Sequence, residues 1–488
     1  MTIKDQMRRF ILDKFGFQPT REQEKAAEMM AEFLFEESRD QVFLLRGYAG
    51  TGKTSLVGAL VRCLDAMQRR TVLMAPTGRA AKVFSLHANH TAFTIHKRIY
   101  RQRVFTGEMA DFTQNINLLK HTLFIVDEAS MISNEGVSGN TFGTGHLLDD
   151  LIQFVYSGEG CRLMLVGDTA QLPPVGEELS PALEPDFLSG YGLQVQHITL
   201  TQVVRQLSDS GILWNATMLR QLITNDEVFA FPQLRVAGFP DIRVMPGNEL
   251  IEALEDAYYQ CGTDQTIVIT RSNARANAFN QGIRGRILGY DEELTGGDQL
   301  MIVKNNYHWV KPEGIEEPDS SQMDFIANGD VATIQRFRNE RELHGFRFVD
   351  LVLRFPDYNN MEVEATAILD TLTSEAPALT RQQQETLFQR VWDDYPELHN
   401  KRDRMKAIKE DPLFNALQIK YAYAVTCHKA QGGQWQRVFI DQGYMTDDML
   451  SPDYFRWLYT ALTRATETVY LVNWPKTELD DESAGLLE

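Results

Sequence analysis

The eight residues Gly47-Tyr-Ala-Gly-Thr-Gly-Lys53-Thr54 have the types and spacing to bind phosphate. Glycines let a loop curl so that its N–H groups turn inward toward phosphate oxygens. The Lys53 ammonium can reach β- and γ-phosphates, and the Thr54 hydroxyl can ligate Mg²⁺. Asp127-Glu128 follows the apolar run His121–Val126. There Asp127 can hold the cation through water, and Glu128 can orient or deprotonate an attacking water. Gln171, in Gly167-Asp-Thr-Ala-Gln171-Leu-Pro-Pro-Val-Gly176, can contact a γ-phosphate and report its loss. Arg205 and Arg464 offer guanidinium groups for charge developing on that phosphate. A phosphate loop alone allows a kinase or a hydrolase. Adding Glu128 points to transfer onto water.

The elements that position these residues read as alternating strands and helices. Val42–Leu45 enters the phosphate loop and a helical pattern from Ser55 to Leu64 leaves it. Thr71–Ala75, His121–Val126 and Cys161–Val166 are further apolar runs that deliver polar residues at their C-terminal ends, where open parallel sheets bind ligands. Thr20-Arg-Glu-Gln23 has the pattern of a helix N-cap with Gln23 at the third helical position. These segments predict an α/β domain over residues 1–206. A second series, with strands at Thr266–Thr270, Val438–Ile440 and Thr468–Val472, predicts another over 207–284 and 419–476. Between them, residues 285–418 change to short strands bounded by Asn-Gly, Pro-Asp and Asn-Asn turns, then a polar helical stretch from Thr380 to Glu410. That reads as an insertion. No internal repeat is visible.

At 488 residues, three domains fit the length. No run approaches a membrane span and no signal-peptide core follows the first residues, so no membrane partner is expected. The four cysteines form no CxxC pair, which argues against a zinc site or disulfide framework and fits a reducing cytoplasm. The net charge of −19 lowers the expectation of non-specific nucleic-acid binding. It excludes nothing, because binding depends on a local groove. Residues 477–488 read as a solvated acidic tail, with Glu478, Asp480, Asp481 and Glu482.

The order of these motifs resembles the superfamily-1 helicases, most closely the 5′→3′ branch that holds phage Dda and RecD-like enzymes. The resemblance runs from Thr20–Gln23 through the phosphate loop, Ala75-Pro-Thr-Gly-Arg-Ala-Ala-Lys82, Thr94-Ile-His96, Asp127-Glu-Ala-Ser130 and Gly167–Gln171. It continues through Val204-Arg205-Gln206, Val425-Thr-Cys-His-Lys-Ala-Gln-Gly432 and Tyr459-Thr-Ala-Leu-Thr-Arg464. It implies two RecA-like P-loop motor domains with ATP and Mg²⁺ between them, a small hairpin inserted in the first, and a β-barrel with a helical element inserted in the second. Carried over residue by residue, Gln23 recognises adenine. Gly47, Ala49, Gly50, Thr51, Gly52, Lys53, Thr54, Ser55 and Gly432 bind the nucleotide, with Thr54 and Asp127 at the metal. Lys53, Asp127, Glu128, Gln171, Arg205 and Arg464 serve catalysis. Pro76, Thr77, Thr94 and His96 would grip single-stranded DNA on the first domain, and Thr426, His428 and Lys429 on the second.

The excursion at about 98–119 is either a pin that splits the duplex, with Phe105 or Phe112 as wedge, or a plain surface hairpin. The expected activity is ATP-driven 5′→3′ translocation on single-stranded DNA with unwinding at duplex junctions, by a monomer, alone or beside replication or repair proteins. The rival is a nucleotide-switched DNA-binding or remodelling ATPase that separates no strands. A small-molecule kinase is disfavoured by Glu128 and the second-half motifs. Gly136–Gly145 has no functional reading.

Overall fold

The computed structural model describes residues 2–36, 38–102, 112–136, 143–203, 209–310, 323 and 325–485. The first sheet runs in the order Ala92–Thr94, Thr71–Ala75, Leu123–Val126, Arg162–Gly167, Gln41–Gly47, Gln194–Leu200, with every pair parallel. Along Gln41–Gly47, Phe43 and Leu45 enter one core while Val42 and Leu44 enter another. Both faces are covered, which is why these strands read as unbroken apolar runs. Each such buried side chain contributes about 1.5–3 kcal/mol. Two strands escaped the sequence reading. Ala92–Thr94 has only three residues, and Gln194–Leu200 mixes polar with apolar positions at the sheet edge.

Helices on this sheet hold the phosphate loop in place. Ile3–Phe15 buries Met7, Ile11 and Phe15, which share one face at fourfold spacing. Arg21–Phe35 starts with a reciprocal cap. Thr20 Oγ1 accepts from the Gln23 N–H at 3.2 Å, and the Thr20 N–H donates to Gln23 Oε1 at 2.9 Å. Both helices share a core with the helix Lys53–Ala66.

The second sheet has the order Ala424–Thr426, Thr266–Thr270, Trp435–Asp441, Ala465–Val472, Ile242–Met245, again all parallel. Inserted in it is a closed barrel of Gln299–Ile302, Val331–Leu343, Phe346–Phe355, Met361–Ile368 and Leu417–Tyr421. The expected insertion boundary at 418 therefore falls inside a strand. Leu417–Tyr421 closes the barrel and leads directly into Ala424–Thr426. Helices Arg381–Asp393 and Lys401–Glu410 cover the barrel end, where Leu387, Val391 and Ile408 meet Phe346 and Phe348. No helix among the described residues is long and apolar enough to cross a membrane.

One expectation fails. The acidic C-terminal stretch is docked through residue 485 rather than solvated. Glu478 is 6% exposed and accepts from Gln442 at 2.9 Å. Ser483 is fully buried and its hydroxyl accepts from the N–H groups of Val236 and Ala237. Paired backbone and side-chain groups outweigh the solvation of a few carboxylates here.

Candidate nucleotide cleft and nucleic-acid grips

The phosphate loop joins Gln41–Gly47 to the helix that begins at Lys53. Gly50 and Gly52 sit at φ +74° and +78°, the left-handed region that side chains resist. A Cβ on Gly47 would lie 2.9 Å from both Lys53 Cγ and Thr51 Oγ1, so only glycine leaves the cradle open. Lys53 Nζ donates to the carbonyls of Gly47 and Tyr48 at 2.6 and 2.9 Å. Thr54 and Ser55 follow in the first helical turn. Gln23 is buried, and its Nε2 donates to the Thr51 carbonyl at 2.9 Å. With Oε1 on Thr20, its amide supports the loop from behind.

Asp127 and Glu128 stand at the end of Leu123–Val126. Burial pushes the Asp127 carboxyl up to about 7, helped by the Glu128 charge and opposed by Lys53. Glu128 occupies the left-handed region at φ +52°, a strained position for a side-chain residue. Two crowded carboxyls of which one is desolvated form a donor set whose chemistry fits the expected divalent cation. Gln171 is 6% exposed, and its buried Oε1 has no hydrogen-bond partner among the described residues. An orphaned acceptor there fits a site that awaits a ligand.

Arg464 comes from the second domain. It is 3% exposed, and its Nη1 lies 3.9 Å from Glu128 Oε1. The carbonyls of Thr460 and Gly433 hold the guanidinium at 3.1 and 3.4 Å. Arg205 lies outside the described residues. The two domains also meet through backbone. Thr460 Oγ1 accepts from the Leu172 N–H at 2.9 Å, and Gln431 Nε2 donates to the Leu172 carbonyl at 2.8 Å. Arg456 donates to the Thr169 carbonyl.

The residues expected to grip DNA occupy matching places in the two sheets. Ala92–Thr94 and Ala424–Thr426 are edge strands, beside Thr71–Ala75 and Thr266–Thr270 respectively. Each ends in a threonine that starts a short helix, giving Thr94-Ile-His-Lys97 and Thr426-Cys-His-Lys429. This four-residue echo went unseen in the sequence because four residues stand out only when their settings coincide. Pro76 follows Thr71–Ala75, and Thr77 caps the next helix by accepting from the Ala80 N–H at 3.2 Å. Burial pushes His96 down to about 4, so its imidazole is neutral at neutral pH. Burial and the nearby Lys420 charge lower Lys429 to about 8. Gly432, at φ +74°, brings the two grips together, since a Cβ there would lie 2.9 Å from Ala80 Cβ and 3.1 Å from Thr77 Oγ1. It therefore faces the grip of the first domain.

Residues 18–238 match the family model described as an AAA domain, and residues 421–472 match that of a UvrD-like helicase C-terminal domain. The chain is 29% identical over 196 residues to the ATP-dependent RecD2 DNA helicase of Deinococcus radiodurans, covering 40% of this chain and 24% of that protein. It is 25% identical over 278 residues to the ATP-dependent DNA helicase dda of Enterobacteria phage T4, covering 55% of this chain and 58% of that one. In both matched regions the chain is similar to superfamily-1 helicases. Among solved structures, a Bacteroides Pif1 helicase in complex with ADP-AlF3 and ssDNA aligns with this chain at TM-score 0.47 and 16% identity, over 96% of each chain.

Several residues of this chain that its motifs did not single out take part in the cleft. Gln431, Tyr459 and Thr460 lie inside the quoted motifs, so their position was the available signal. The barrel's contacts with the grips had none. Lys429 Nζ donates to Asn328 Oδ1 at 3.2 Å, and Lys82 pairs with Asp357 at 2.8 Å. Of the two wedge candidates, Phe105 lies outside the described residues. Phe112 heads a three-residue strand whose backbone pairs with Gln102. Within Gly136–Gly145, Thr144 anchors to Asp150 through both its N–H and hydroxyl.

Proposed function

We propose that this protein is an ATP- and Mg²⁺-dependent DNA helicase that moves 5′→3′ along single strands and separates duplex ahead of it. The observation that carries the reading is the assembly of one cleft from both domains. Lys53, Asp127, Glu128 and Gln171 come from the first, and Arg464 meets Glu128 from the second. Turnover then depends on the domains being closed. Lys53 would bind the β- and γ-phosphates, Glu128 would take a proton from the attacking water, and Arg464 would face the charge that develops on the γ-phosphate. The divalent cation, held at Thr54 and Asp127, would add positive charge against the phosphates.

Opening and closing alters the spacing between the grip at Thr77, Thr94 and His96 and that at Thr426, His428 and Lys429. Two grips whose spacing follows nucleotide state are the requirement for stepping. Hydroxyl, imidazole and ammonium contacts to phosphate carry no sequence information, as tracking demands. The polarity rests on the likeness to Dda and RecD-like proteins. Because cleft and grips lie in one chain, a monomer suffices.

Forked substrates test the reading. Strand displacement that needs a 5′ tail supports it, and displacement that needs a 3′ tail reverses the polarity. Brisk DNA-stimulated ATP turnover with no displacement on either fork would favour a remodelling ATPase.

A further inference from the structure

Tyr459 lies on the second-domain helix Pro452–Leu462 and is 1% exposed. Its phenol oxygen stands 2.8 Å from the Ala49 amide nitrogen and 2.6 Å from Asp168 Oδ2. Burial and the neighbouring Asp168 charge raise the phenol well above its ordinary value, so it keeps its proton. A protonated phenol between an N–H and a carboxylate has one arrangement that satisfies all three groups. It accepts from Ala49 and donates to Asp168. Asp168, itself 1% exposed, takes a second hydrogen bond from the Ala170 N–H at 2.9 Å.

The peptide that Tyr459 holds also anchors Lys53. The Tyr48 carbonyl and the Ala49 N–H belong to one planar unit and point in opposite directions. That carbonyl accepts from Lys53 Nζ at 2.9 Å and from Thr51 Oγ1 at 2.8 Å. Rotating the peptide would move the ammonium's anchor and the phenol's donor together. A hydrogen-bonded chain therefore runs from Lys53 through one peptide to Tyr459 and on to Asp168. It leaves the first domain and returns to it, and each link polarises the next. The loop tip has a further neighbour on that side, since a Cβ on Gly50 would lie 2.9 Å from Leu213 Cδ2.

We propose that Tyr459 is a positioning residue for ATP turnover: by holding the Ala49 N–H when the domains meet, it fixes the Tyr48–Ala49 peptide and with it the Lys53 ammonium. The inference rests on reading the cleft as an ATP site. It makes the phosphate loop itself responsive to the second domain, separately from the charge that Arg464 brings. The bland alternative is a core aromatic whose ring alone matters, since Tyr459 packs among Phe455, Leu458 and Leu462.

Tyr459→Phe separates the two, because it keeps the ring and deletes the bridging oxygen. ATP turnover is measured with saturating single-stranded DNA for wild type, Tyr459→Phe, Asp168→Ala and the double variant, with thermal melting of each. Tyr459→Phe should lower kcat roughly tenfold while KM for ATP stays within about threefold and melting is little changed. The double variant should turn over about as fast as the slower single one, since both cut the same chain. Turnover by Tyr459→Phe within about twofold of wild type overturns the proposal. So does a loss of kcat matched by a falling melting temperature, and so do costs that multiply in the double variant. Absence of ATP turnover in the wild type would instead sink the functional reading beneath it.

Discussion

Gln431 and Leu172 are joined across the interdomain cleft, the Gln431 amide donating to the Leu172 carbonyl at 2.8 Å. Leu172 directly follows Gln171, whose buried Oε1 faces no partner among the described residues. Gln431 lies just beyond the helix that carries His428 and Lys429. The element proposed to sense the γ-phosphate and the element proposed to grip DNA are thus tied by one bond. Gln431→Ala should leave basal ATP turnover within about threefold of wild type while cutting its stimulation by single-stranded DNA roughly tenfold. Turnover assays with and without oligonucleotide read this directly, and equal loss in both conditions would count against coupling.

The two ends of the first-domain site should fail differently. Lys53→Ala removes the cation proposed to bind the phosphates and should reduce kcat by roughly 100-fold or more. Glu128→Gln keeps size and backbone preference but cannot take a proton. It should bind ATP about as well as wild type while losing hydrolysis, because its strained backbone at φ +52° is unchanged. Equilibrium binding of a fluorescent ATP analogue beside phosphate release distinguishes them. A Glu128→Gln protein that loses both equally would not fit Glu128 as base.

Thr426→Ala and His428→Ala should weaken single-strand binding in a similar way across unrelated sequences, as loss of the proposed phosphate contacts would. Basal ATP turnover should stay nearly intact, because neither residue touches the phosphate loop. Fluorescence anisotropy with two oligonucleotides of different composition checks the point. Sequence-dependent loss would mean that these residues read bases.

A pH effect follows from the seam between the first grip and the barrel. Asp330 is 3% exposed, accepts from the Ala327 N–H at 2.7 Å and from the Tyr358 phenol at 3.2 Å, and packs against Gly78. Desolvation pushes its carboxyl up to about 7, with the Asp357 charge adding to the rise. The folded state thus holds a proton that the unfolded chain has released above its ordinary value of 3.8. Stability from this group is full below that value and is lost as pH rises toward 7. The melting temperature of Asp330→Asn relative to wild type should therefore climb between about pH 4 and 7 and then level off. A difference that is flat with pH would refute the buried-carboxyl assignment.

Much of this protein was legible in its sequence because the phosphate loop and the strand ends are local objects. Glycines at 50 and 52 permit the loop's positive φ, and apolar runs flanked by polar residues mark parallel strands with their ligand-binding ends. The succession of motifs then implied two motor domains and an inserted barrel. The edge strand Ala92–Thr94 was not legible because three residues carry no pattern, nor was the docked tail, whose partners Val236 and Ala237 lie far along the chain. The tertiary structure alone decided which distant groups touch. Arg464 reaches Glu128, Tyr459 reaches Ala49, Gln431 reaches Leu172, and Gly432 packs on Thr77. Sequence order says that these groups exist. Only the packing of two sheets against each other brings them to within a few ångströms, the range at which hydrogen bonds form and a charge pair is strong.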